Sequence, residues 1–127
     1  MILSDTDCII DYLKNRAPEN GIVRRALIES ELLVSAVSVF ELYFGESTGN
    51  GRAKLDELLR SVAVIPVTRS VAVIAAERGA ALSASGMGLA MPDLLIAATA
   101  LEIGAQLITR NRRHFLRIDG LKLAGPD

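Results

Sequence analysis

The sequence predicts a three-layer α/β/α sandwich built on a mainly parallel sheet. Short apolar runs alternate with amphipathic stretches, and every strand candidate before the last is followed by a helical one, an order that parallel pairing through crossover helices requires. A length of 127 residues suits one compact domain spanning 1–127. Hydrophobic residues make up 50% and charged residues 23%, so the chain can bury a real core and is not a disordered polymer.

The first element is "MILS", a short apolar strand. Asp5 and Thr6 can then cap a helix whose Ile9, Ile10 and Leu13 share one face. Pro18 and Gly21 break the chain, and "VRRALIESE" turns Val23, Ala26 and Leu27 inward. "LLVSA" is strand-like. Ser35 or Ser38 can cap the helix "VFELYFGES", with Gly49 and Gly51 as its stop. "RAKLDELLRSV" spaces Leu55, Leu58 and Leu59 helically, and "VAVIPV" is the next strand candidate. Thr68 caps the long helix "RSVAVIAAERGAALSASG". Pro92 opens another, where its missing N–H does no harm, and Gly104 closes it. "AQLIT" is a strand, "RRHFLRI" helical, and "LKLA" an edge strand. Repeats, low-complexity tracts and linkers are absent.

Composition removes several function classes. No apolar run reaches the roughly 18 residues of a membrane span, and "MILSDTDC" places acids where a signal peptide has its apolar stretch. A soluble, cytoplasmic protein is expected. Cys8 is the only cysteine, which excludes an intramolecular disulfide and a cysteine-rich zinc site and suits a small buried filler. Trp is absent and aromatics are 4%, so base-stacking platforms are not expected. Net charge is −1, yet Arg110, Arg112, Arg113, His114 and Arg117 cluster without an intervening acid. Such a group can hold phosphates or simply form a solvated face.

Three acids carry the functional signal. In a parallel sheet, ligands bind beyond the carboxyl ends of the strands, where an acid directly after the first strand must lie. Asp5 is that acid, and a helix cap is its alternative role. Asp7 and Asp11 fall one turn apart on the polar side of the first helix, in structural positions. Glu41 stands between Phe40 and Leu42 in an apolar helix, and Asp93 opens a helix so apolar that it must be central. Unpaired buried carboxylates are costly. Acids converging on one sheet end repel one another, and a hard divalent cation relieves that repulsion. Magnesium suits Asp5, Asp93 and a Glu41 held through water, because it takes few direct carboxylates and keeps several waters. Asn111, after the strand "AQLIT", is either a further oxygen ligand or a cap for the following helix.

Together, "ILSDTDCIIDYL", "SAVSVFELYFG", "MPDLLIAATALEIGAQLITRNRRHF" and "GLKL" resemble a PIN-domain ribonuclease of the VapC toxin type over nearly the whole chain. The resemblance implies a magnesium- or manganese-dependent endoribonuclease, a homodimer, encoded with and inhibited by a small VapB-like antitoxin. The family's acids fall on Asp5, Glu41 and Asp93, with Thr6 and Thr109 as supporting hydrogen-bonding groups. Where many relatives place a fourth Asp, this chain has Asn111 and His114, which leaves open one metal ion or two. Arg110, Arg112 and Arg113 would steer RNA. A partner-binding module that has lost catalysis is one alternative. A phosphoacceptor receiver domain is another, disfavoured because the mid-chain acid Glu41 reads as helical rather than strand-terminal.

Overall fold

A computed structural model describes residues 1–16, 19–46 and 49–125. The chain runs β1 (Ile2–Ser4), α1 (Thr6–Leu13), α2 (Glu19–Ile28), β2 (Leu32–Ser35), α3 (Ala36–Gly45) and α4 (Gly49–Arg60). It continues with β3 (Ala63–Ile65), α5 (Arg69–Ala84), α6 (Met91–Ile103), β4 (Gln106–Ile108) and α7 (Arg112–Phe115). The strands form one sheet in the order β3-β2-β1-β4, parallel throughout. The expected α/β architecture is therefore present, with helices on both faces.

Alternation along the strands assigns the two faces. Leu32, Val34 and Ile108 turn toward a core with Ile9, Val23, Ala26, Leu42 and Leu55, contributed by α1 to α4. Leu3 and Leu107 face the other way, onto Ile96, Ala97, Ala100 and Phe115. Cys8 is fully buried in the first core, as a small filler. Phe115 is completely buried and anchors α7, a helix too short to hold itself. Burial of such a ring is worth about 2–3 kcal/mol.

Helix α6, which carries Asp93, is set by close packing against α5. A Cβ on Gly79 would lie 2.8 Å from Leu94 Cδ1, so the absence of a side chain there lets the first turn of α6 approach. Gly104 ends α6 in the left-handed region at φ 70°, a conformation that favours glycine. Thr68 caps α5 by accepting from the Val71 N–H at 3.2 Å. Of the two serines, Ser35 caps α3, accepting from the Val37 N–H at 3.0 Å.

Four expectations need correction. Gly49 and Gly51 do not stop the helix before them: α3 ends at Gly45, and both glycines lie in α4. "RRHFLRI" is helical only over Arg112–Phe115. "LKLA" contributes a single parallel bridge, Leu123 to Leu107, rather than a strand. Asp11, placed with Asp7 on the polar side of α1, is buried, being 1% exposed. Pro18 lies outside the described residues. Among the described residues no helix is long and apolar enough to cross a membrane.

Candidate active site

The site lies at the carboxyl end of the parallel sheet. Asp5 directly follows β1, Ser35 closes β2 and leads into α3, and Thr109 directly follows β4. Register brings the first and last of these together: Ser4 pairs with Ile108, and the Asp5 N–H donates to the Ile108 carbonyl at 2.8 Å. Asp5 and Thr109 thus leave adjacent strands side by side.

The Asp5 carboxylate uses both oxygens. Oδ1 accepts the Thr6 N–H at 2.8 Å, so Asp5 is also the N-cap of α1. Oδ2 accepts from Thr109 Oγ1 at 2.9 Å. Asp5 therefore caps α1 and at the same time lies beyond the carboxyl end of the sheet. Thr109 Oγ1 in turn accepts the Asn111 N–H at 2.9 Å, which folds the chain after β4 around the hydroxyl. Burial pushes the Asp5 carboxyl up to about 6, against the lowering effect of the Thr109 and Thr6 bonds, and the charges of Asp93 and Asp7 push it further.

Glu41 is reached from the other side. Thr6 Oγ1 lies 2.6 Å from Glu41 Oε1 and 2.8 Å from Ser38 Oγ. A hydroxyl carries one proton, so Thr6 donates to the carboxylate and Ser38 supplies the proton for the second contact. Ser38 and Glu41 stand three apart on α3 and share a face. Asp5 and Thr6, consecutive residues, thereby tie β1 to both β4 and α3.

Asp93 stands in the first turn of α6, behind Pro92, at the positive end of the helix dipole. Its carboxyl is raised above the ordinary range by burial and by the charges of Glu41 and Asp7, opposed by His114. The acids of β1, α3 and α6 therefore feel one another across the sheet end. Among the described residues, no three acid, histidine or cysteine side chains form a ready-made metal cage. The donors present are hard oxygens that repel each other, which fits a cation held by few direct ligands and its own waters.

Asn111 occupies the N-cap position of α7 but makes no side-chain cap hydrogen bond. Its Oδ1 contacts His114 Nδ1 instead, so the simple cap role does not hold. Among the tail arginines, Arg112 Nη1 donates to the Ala124 carbonyl at 2.8 Å. Arg110 turns toward α1, with Nε 3.1 Å from Asp11 Oδ2 and Nη2 3.5 Å from Asp7 Oδ2. Arg113 is exposed. The sequence reading missed the pairing of Asp11 with Arg110 and the role of Ser38. The Ser38 to Glu41 spacing on one helix was the available signal for the second.

Beside Glu41 a cleft of about 260 Å³ opens between α1, α3 and α4, lined by Ile10, Leu13, Leu42, Lys54 and Leu55 among others. Phe40 and Phe44, 66% and 81% exposed, stack on α3 with ring centroids 5.5 Å apart. Tyr43 does not join them: it packs against the core and its hydroxyl donates to Asp56.

The sheet is parallel throughout, and beyond its carboxyl end Asp93 acts by charge on Asp5 and Glu41 on Asp93. Residues 2–121 match the PIN domain family. The chain is 34% identical over 122 residues to Ribonuclease VapC10 of Mycobacterium tuberculosis, covering 96% of this chain and 91% of that one. It is similar in structure to VapBC2 from Rickettsia felis bound to a promoter DNA fragment, with TM-score 0.86, 25% identity and full coverage of both chains. DNA-bound VapBC from Salmonella typhimurium gives TM-score 0.85 at 26% identity, covering 97% of this chain and 96% of that one. The chain belongs to the PIN-domain family, among its VapC-type toxin ribonucleases.

Proposed function

We propose that this protein is a divalent-metal-dependent endoribonuclease, the toxin of a VapBC-like pair, with Asp5, Glu41 and Asp93 as its catalytic acids. The observation that carries this reading is the buried Asp5 carboxylate, bonded by Thr6 and Thr109 and pressed by the charge of Asp93, in a chain akin to a VapC ribonuclease. Asp5 and Asp93 are the residues that would hold magnesium or manganese, with Asn111 as a neutral oxygen donor nearby. When bound, the cation supplies Lewis-acid stabilisation of a phosphoryl transition state and lowers the pKa of water. Glu41, bonded by Thr6, would position water and accept its proton. Thr109 holds Asp5 so that its charge stays directed at the sheet end. Arg113, with Arg110 and Arg112 beside it, offers positive charge to an RNA backbone.

The cleft beside Glu41 suits an amphipathic segment of a VapB-like antitoxin, with a basic side chain reaching toward the acids. The relatives from Rickettsia felis and Salmonella typhimurium are VapBC complexes, which supports such a partner. The exposed Phe40 and Phe44 give the protein apolar surface for assembly, as a homodimer or against the antitoxin.

The test is incubation of the purified protein with RNA in magnesium, with and without chelator, beside Asp93→Asn. Cleavage that needs the metal and is lost in the variant is the expected result. Full activity of Asp93→Asn overturns the assignment at its centre.

A further inference from the structure

Asp11 is a buried acid that the chemistry above does not use. It is 1% exposed, in the second turn of α1, the helix that Asp5 caps. Arg110 Nε stands 3.1 Å from its Oδ2 and Arg16 Nη1 3.7 Å from its Oδ1. Neither Asp11 oxygen makes an aligned hydrogen bond among the described residues, so these partners act through charge. A carboxylate withdrawn from water to this degree is tolerated only when paired, and Arg110 is its nearer cation.

The position of Arg110 gives the pair its meaning. Arg110 lies between Thr109, whose hydroxyl donates to Asp5, and Asn111, whose N–H donates to that same hydroxyl. Its side chain reaches back to α1, the helix that Asp5 caps. The contacts close a ring: Asp5 to α1, α1 through Asp11 to Arg110, Arg110 along the chain to Thr109, and Thr109 to Asp5. Within that ring the Arg110 side chain spans from the turn after β4 to α1. It also lies 3.5 Å from Asp7, an exposed acid whose charge acts on Asp5 and Asp93, and so offsets charge there.

We propose that Asp11 and Arg110 form a positioning pair that holds the turn of residues 109–111 against α1, and thereby fixes the Asp5 carboxylate for cation binding. The proposal rests on the acid-site reading above, and metal binding separates the two. Mutating the partners that orient a metal-binding side chain typically costs ten- to a hundredfold in metal affinity.

The experiment is titration of the full chain with Mn²⁺, followed by electron paramagnetic resonance, for wild type, Asp11→Asn, Arg110→Gln, Arg110→Lys and the Asp11→Asn/Arg110→Gln double variant. RNA cleavage is followed in parallel. The expected result is Mn²⁺ affinity about tenfold weaker in Asp11→Asn and Arg110→Gln, a smaller loss in Arg110→Lys, and a double variant no worse than either single one, because the two act as a unit. Helix content by circular dichroism should match wild type. Superimposable Mn²⁺ titrations in folded variants overturn the proposal. So does an Arg110→Gln that only raises the KM for RNA in a salt-dependent way, since that assigns Arg110 to RNA. If Asp11→Asn fails to fold, the Arg110 variants, altered at a half-exposed side chain, decide. Weakened Mn²⁺ binding in a protein that cleaves no RNA would sink the ribonuclease reading and leave this one standing.

Discussion

Thr109 donates a 2.9 Å hydrogen bond to Asp5 across 104 residues of sequence. The bond joins the ends of two neighbouring parallel strands and holds the Asp5 carboxylate beyond them. Thr109→Val removes that donor while keeping the side-chain shape. The expected outcome is a loss of about 1–2 kcal/mol in stability. Because the bond lowers Asp5's proton affinity, the acid limb of the pH–rate profile should move to higher pH. An unmoved limb would show that Asp5 does not set it.

Asp5→Asn, Glu41→Gln and Asp93→Asn should each reduce RNA cleavage at least about a hundredfold. The fold should survive. Asp5 and Asp93 both sit above the ordinary carboxylate range because burial and neighbouring acids disfavour their charge. Removing either charge should leave metal-free stability unchanged or higher at neutral pH. Urea midpoints well below wild type would instead mark these acids as structural.

The metal-free protein should lose stability as pH rises through the interval between the ordinary Asp value of 3.8 and about 6. In that interval the unfolded chain has released the Asp5 proton and the native state still binds it, so stability is full below the interval and lost across it. The difference is about 2–3 kcal/mol. Comparing urea unfolding of wild type and Asp5→Asn at several pH values isolates the effect, which should vanish in the variant. Magnesium should restore wild-type stability above pH 6 and do little below it.

Asn111→Asp should lower the magnesium concentration for half-maximal cleavage, and Asn111→Ala should raise it. An added carboxylate strengthens a cation site, whereas Ala removes an oxygen donor and the contact to His114. Coincident titrations for all three proteins would place Asn111 outside the site.

The strand-helix order was readable because every strand is short, apolar and bounded by a cap or a glycine. The positions of Asp5 after β1, Glu41 in α3 and Asp93 at the start of α6 were readable as well, and Asp93 acts by charge on Asp5 as Glu41 does on Asp93. Glycine was the weak point: Gly49 and Gly51 read as terminators, yet both lie in α4, since a glycine near a helix boundary does not say on which side it falls. Asp11 was misread for a different reason. Helical periodicity placed it with Asp7 on a polar face, but its environment is set by Arg110, ninety-nine positions later in the chain. Pairings of that kind depend on which strands become neighbours, which local pattern does not encode.

The central place of β1 in the sheet also orders events during biosynthesis. β1 pairs with β2 on one edge and with β4 on the other. A chain emerging from the ribosome as far as α5 already carries Asp5 and Glu41, but β1 still has an open edge, and neither Asp93 nor Thr109 has been made. The sheet end where Asp5 meets Thr109 is therefore unfinished while most of the chain exists, and is completed only when the last strand docks.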